Sequence, residues 1–174
     1  ILDRSEWLLD VEGHGRELPP RAGGIDLSLS VGWFTTMTPA RFALESGRPG
    51  QAAVQAAREA LHGARAHAME YGLLRYLHPD AGVRTRMAAL PAANVLFNYL
   101  GVLDGTLPAL DPEGEAFLPP EPLSHPLEVN AMVVRGQAAV RLGLDPLRWP
   151  KGFARNLVQL LPECLAEVIS CAGE

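Results

Sequence analysis

The clearest periodicity in this 174-residue chain is helical, and it sits between stretches that read as strand. In residues 51–68, Val54, Ala57, Leu61, Ala64 and Ala68 recur at spacings of three and four. Gln55, Arg58, Glu59, His62 and Arg65 take the opposite face. Before this helix, segment 4–11 predicts a strand, and 12–24 predicts a loop broken by Gly13, Gly15, Pro19, Pro20, Gly23 and Gly24. Segment 25–38 alternates at Ile25-Asp26-Leu27-Ser28-Leu29 and then carries Trp33, Phe34 and Thr35, which predicts a second strand ended by Pro39. Trp33 and Phe34 are expected to be core aromatics.

Beyond the helix, residues 72–78 suggest a further helical turn or two, and 94–100 suggest an inner strand. Residues 101–125 form a long glycine- and proline-rich excursion. Two strands follow at 127–134 and 137–144, joined as a hairpin at Arg135-Gly136. The last helix spans 151–170, with Phe153, Leu157, Leu160, Leu161, Leu165, Val168 and Ile169 inward, and Pro162 is expected to kink or split it. Strands, helix, strands, helix is an α+β order, with helices on one face of a mixed sheet.

Composition narrows the function classes. A hydrophobic fraction of 48% supports a real core in a single domain or large subdomain. The net charge is −5 and Lys151 is the sole lysine, so nucleic acid and membrane are excluded as expected partners. No apolar stretch approaches the ~20 residues of a membrane span. A cytoplasmic location is expected, with Cys164 and Cys171 as buried structural thiols. Seven positions of intact helix place those cysteines roughly 10 Å apart, too far for a disulfide. Asp104, Asp111, Glu113 and Glu115 are read as a solvated acidic loop without metal-ligand spacing. No Walker loop, GxGxxG, CxxC or HExxH pattern occurs, so no metal site is expected. The chain opens on Ile1 and enters a strand-like segment at once, which suggests a piece of something longer.

The chemistry concentrates in Glu12-Gly13-His14-Gly15-Arg16-Glu17, directly after the apolar Trp7–Val11. Carboxylate and imidazole are the usual general acid/base groups, and glycine lets backbone approach a ligand. This run resembles the EGHGRE motif of epimerization domains from nonribosomal peptide synthetases. Val31-Gly32-Trp33-Phe34-Thr35 with Pro39 and Phe42, Tyr71-Gly72 with Leu74-Arg75-Tyr76, and Phe97-Asn98-Tyr99-Leu100-Gly101 resemble three further motifs of that family, in order. Leu127-Glu128-Val129-Asn130 resembles its later LEIN strand. Leu29, Ser30, Thr38, Ala68 and Glu70 depart from the family pattern.

The resemblance covers residues 4–170 and implies the C-terminal half of a two-lobed, chloramphenicol-acetyltransferase-like α+β fold, a two-layer αβ sandwich. The family's HHxxxDG motif belongs to the N-terminal half, and no two of the five histidines here are adjacent. The implied reaction is L-to-D inversion at Cα of an aminoacyl or peptidyl thioester on the phosphopantetheine arm of a peptidyl carrier protein. No cofactor is bound directly; the arm comes with the carrier. Implied partners are that carrier, the N-terminal half and neighbouring synthetase domains. By motif match Glu12 is the catalytic carboxylate, and burial would raise its pKa. Asn98 and Tyr99 are the substrate-binding candidates; in a strand they point to opposite faces, so both reach one site only through a backbone irregularity. His14 and Arg16 are supporting candidates, each with a loop-holding role in view. Glu128 and Asn130 are read as strand polar groups. Two alternatives stand beside this reading: a condensation domain, which forms amide bonds, and a non-catalytic half-domain for docking a carrier.

Overall fold

The computed structural model describes residues 6–16, 24–43, 50–103 and 123–172. The apolar run after Glu6 forms β1, Glu6–Gly13. It pairs antiparallel with β2, Thr36–Ala43, from Glu6↔Ala43 to Gly13↔Thr36. On its other side runs β3, Val95–Leu103, parallel to it. Parallel to β3 lies β4, Leu127–Val134, which turns back into antiparallel β5, Gln137–Leu144. The sheet order is therefore β2-β1-β3-β4-β5. Arg135 and Gly136 close the hairpin with φ of 51° and 75°. Two successive positive φ values match the twist of the flanking strands, and glycine makes the second one inexpensive.

The helices are α1 (Gln51–Ala66), α2 (Ala68–Gly72), a π-helical turn (Leu73–Leu77), α3 (Ala81–Ala88) and α4 (Phe153–Ala172). Strand alternation decides which sheet face they cover. Val11 packs with Ala40 of β2 and Ala64 of α1, flanked by Phe42, Leu61 and Phe97. Val95 and Leu127 pack on Phe153 of α4, together with Leu9, Val129 and Leu157. The Trp149 ring stacks on Phe153 at 4.3 Å, and its N–H donates to the Pro126 carbonyl at 2.9 Å. So α1 and α4 lie on one face of a mixed five-stranded sheet, the two-layer α+β arrangement expected from the order of elements.

Several expectations are corrected. Residues 25–35 are not a strand. The Asp26 carboxylate accepts the Ser28 N–H, and Ser30 N–H reaches the Leu27 carbonyl, so local turns capture the backbone that a strand would need. Trp33 is not a core aromatic: it is 91% exposed, whereas Phe34 is half-buried. Pro39 does not end the strand but sits inside β2, opposite Asp10. It is tolerated there because β2 is the outer strand of the described sheet. Glu12 lies within β1 rather than in the following loop. The inner strand continues through residues 101–103.

Helix α3 was not anticipated, although Asp80 is a recognisable N-cap whose carboxylate accepts the Gly82 N–H. Helix α4 runs unbroken through Pro162, and Leu160, Leu165 and Ile169 are exposed rather than inward. Cys164 and Cys171 are free and half-buried. The acidic residues Asp104, Asp111, Glu113 and Glu115 lie outside the described residues, as does Glu17. Among the described residues no helix is long and apolar enough to cross a membrane.

Thr38 stands in β2 opposite Val11, 5% exposed, and its hydroxyl has no hydrogen-bond partner among the described residues. A buried unpaired hydroxyl carries a desolvation cost of about 1–3 kcal/mol. Thr38→Val should therefore raise stability by about 1 kcal/mol in urea unfolding; a lowered midpoint would show that the hydroxyl has a partner.

Candidate active-site face

Because Leu9 and Val11 turn toward the helices, Asp10 and Glu12 turn the other way. The parallel register carries this outward set across the sheet. Asp10 pairs with Leu96, which pairs with Glu128, while Asn98 pairs with Asn130. One step beyond the Val11↔Phe97 pair, Glu12 comes level with Asn98. With Glu128 near the amino end of β4, the polar residues thus share the face opposite α1 and α4, and Glu12 and Asn98 stand level at the carboxyl end of β1. In open sheets with parallel strands, that end is where ligands bind.

A cleft of about 260 Å³ opens there, lined by Glu12, His14, Arg65, Met69, Asn98 and Tyr99 among others. Glu12, Asn98, Tyr99 and His14 are therefore brought together. Asn98 is half-buried and Tyr99 is 51% exposed. Asn98 and Tyr99 both keep regular register with β4 and both border the cleft, and the backbone irregularity lies just beyond them rather than between them. The β3–β4 register shifts between Tyr99 and Val102, and Gly101 has φ 80°. Ala68, one of the departures from the family pattern, forms part of the cleft wall, and Glu70 falls in the first turn of α2. A larger hollow of about 770 Å³ lies toward the other end of β1, lined by Glu6, Arg41, Leu90, Pro126 and Trp149 among others. It holds none of the predicted site residues.

The loop after Glu12 is tied to the segment before β2. Gly15 adopts φ +65°, and a Cβ there would sit 1.5 Å from the Phe34 carbonyl oxygen. A Cβ on Gly13 would meet Thr36 Oγ1 at 2.9 Å. The Arg16 guanidinium lies 4.7 Å over the Phe34 ring and donates to the Ser30 carbonyl at 3.1 Å. The Arg16 backbone N–H donates to His14 Nδ1 at 3.1 Å, so a neutral His14 ring carries its proton on Nε2.

The Glu12 carboxyl is held above the ordinary carboxylate pKa. Burial is the largest cause, followed by the like charge of Glu128; His125 acts in the opposite direction. These two neighbours belong to a network that sequence reasoning missed. His125 Nε2 lies 2.9 Å from Asp10 Oδ2, with the two side chains only 10% and 20% exposed. His125 Nδ1 lies 2.8 Å from Ser124 Oγ. Glu128 Oε1 accepts from the Ser124 backbone N–H at 2.7 Å and from its hydroxyl at 2.9 Å. The two-residue spacing of Asp10 and Glu12 in a strand could have flagged a shared face. Nothing local flags Ser124 or His125, which reach β1 only because β4 returns beside β3. Among the described residues no group of three or more His, Cys, Asp or Glu could hold a metal ion.

Comparison with known proteins follows the same outline. The chain is 33% identical over 177 residues to bacitracin synthase 3 of Bacillus licheniformis, a match that covers 98% of this chain and 3% of that protein. It is 33% identical over 172 residues to a linear gramicidin synthase of Brevibacillus parabrevis, covering 93% of this chain and 2% of that protein. A nonribosomal peptide synthetase of Aspergillus lentulus is 36% identical over 99 residues, covering 57% of this chain and 2% of that protein. The chain thus spans a few hundredths of the length of these relatives. Among solved structures, the epimerization domain from the third module of tyrocidine synthetase B superposes with a TM-score of 0.75 at 21% identity, over 97% of this chain and 38% of that one. A condensation domain that mediates chain release from the enacyloxin polyketide synthase gives 0.59 at 11% identity, over 92% of this chain and 31% of that one. The shared fold is that of the chloramphenicol-acetyltransferase-like C-terminal subdomain. No protein-family model matches the chain.

Gly15→Ala is expected to cost at least about 2 kcal/mol in urea unfolding, since a left-handed residue with a side chain already costs roughly 1–2 kcal/mol and the Phe34 carbonyl must also move. Gly24→Ala, at φ +74° with no atom of the described residues within 4 Å of the added Cβ, should show only the first of these costs. Equal losses at both positions would mean that the close approach to Phe34 is unimportant.

Proposed function

We propose that this chain, which belongs to the nonribosomal peptide synthetases, is the C-terminal half of a condensation-superfamily domain and forms one wall of an epimerization site. The reaction is inversion at Cα of an aminoacyl or peptidyl group held as a thioester on the phosphopantetheine arm of a carrier protein. The observation that carries this reading is the half-buried Glu12, raised in pKa, at the mouth of the cleft it shares with Asn98 and Tyr99.

The chemistry follows from the thioester. Its carbonyl acidifies the neighbouring Cα–H, but not enough for water to remove the proton at neutral pH. A placed base is needed, and donors must meet the charge that develops on the thioester oxygen. Desolvation makes Glu12 a stronger base than a free carboxylate. The Asn98 amide N–H₂ and the Tyr99 hydroxyl are donors able to meet a carbonyl or enolate oxygen. His14 and Arg16 hold the loop beside Glu12 through the contacts with Phe34, Ser30 and each other. Inversion requires a second acid/base group on the opposite face of Cα. The N-terminal half, with its HHxxxDG histidine, is its proposed source. The carrier and neighbouring synthetase domains are the proposed partners, in the cytoplasm.

A condensation domain shares the half-fold, and the test separates the two. The chain would be assembled with the N-terminal half of its domain and supplied with an aminoacylated carrier in deuterated buffer. Wild type should incorporate deuterium at Cα and change the D/L ratio of the released residue. Glu12→Gln should lose about 100-fold or more of the exchange rate, the usual scale of a general base. Amide formation without Cα exchange would overturn the epimerase reading in favour of condensation. Carrier binding with neither reaction would favour a docking half-domain.

A further inference from the structure

On the sheet face that carries Glu12 runs a hydrogen-bonded chain from Asp10 through His125 and Ser124 to Glu128, of which only Glu128 belongs to a motif. Its proton arrangement is constrained. The Ser124 hydroxyl has one proton and two neighbours, His125 Nδ1 at 2.8 Å and Glu128 Oε1 at 2.9 Å. An ionised carboxylate only accepts, so the hydroxyl proton belongs on the Glu128 side. Nδ1 must then donate to Ser124 Oγ. Nε2, at 2.9 Å from the Asp10 carboxylate, must donate as well. All three contacts are satisfied together when His125 is an imidazolium between two carboxylates. With a neutral ring that donates from Nε2, the hydroxyl proton turns to Nδ1 and the oxygen–oxygen contact with Glu128 is left without a proton.

We infer that His125, held between Asp10 and Ser124–Glu128, is a positioning residue that fixes the charge facing Glu12 and so sets the pH range in which Glu12 can act as a base. This rests on the reading of Glu12 as the acid/base group. The two charges oppose each other: the Glu128 carboxylate makes ionised Glu12 less favourable, and the His125 cation makes it more favourable. Among the described residues, the other charged or titratable groups around Glu12 are Asp10 on its own strand, His14 in the following loop, Arg65 of α1 and Tyr99 of β3. Arg141 of β5 stands in register with Asn130. Tyr71 of α2 and Arg75 of the π-helical turn face Asp10.

Two substitutions predict opposite signs. His125→Gln removes the cation and should move the Glu12 titration, and the rising limb of Cα exchange against pH, to higher pH. Glu128→Gln keeps an acceptor oxygen for Ser124 but removes the like charge, and should move both to lower pH. The Glu12 titration is read directly from the ¹³C signal of its carboxyl carbon in labelled protein, compared with Glu12→Gln to assign the signal. Opposite shifts establish the network even if no Cα exchange is ever seen, in which case the epimerase reading alone falls. Unmoved signals, or shifts of the same sign in both variants, overturn the positioning role whether or not the enzyme epimerises.

Discussion

Parallel pairing of β1, β3 and β4 is the constraint on which the rest of this structure depends. Parallel strands in register present side chains from the same positions on the same face. Once Leu9, Val11, Val95, Phe97, Leu127 and Val129 are committed to α1 and α4, the other face is decided too. Asp10, Glu12, Asn98, Glu128 and Asn130 have nowhere else to go. The hydrophobic packing of one layer thereby assembles the polar chemistry of the other, and a one-residue slip in β1 would exchange the two sets.

That geometry also explains the unequal treatment of neighbouring carboxylates. Asp10 is matched by an imidazole at hydrogen-bond distance. Glu128 takes two donors from a single serine. Glu12, from the same face, is left half-buried beside a like charge, which pushes its proton affinity up. Asp10 and Glu128 are thus engaged by neighbouring donors, whereas Glu12 is the carboxyl that borders the cleft.

The fold was legible where the signal is local. The helical period of 51–68, the hairpin at Arg135-Gly136 and the inner strand after residue 94 all stand where the pattern placed them, to within a few residues at the ends. It was not legible where a strand-like composition is outbid by local hydrogen bonds, as in 25–35. There Asp26 turns the chain, and Leu29, Val31 and Trp33 are left 91% or more exposed. The cleft-lining residues Glu12, Asn98 and Tyr99 came from contiguous motifs. The His125–Ser124 link did not, because its meaning depends on a contact across 115 positions of sequence.

Pro39 carries a consequence for how this sheet can meet other chains. It lies in the outer strand β2 and removes one backbone donor from that border. An extended segment laid alongside would find a gap in the ladder there. β5, at the opposite border, contains no proline from Gln137 to Leu144. Among the described strands, the β2 border is therefore a poorer template for strand addition than the β5 border.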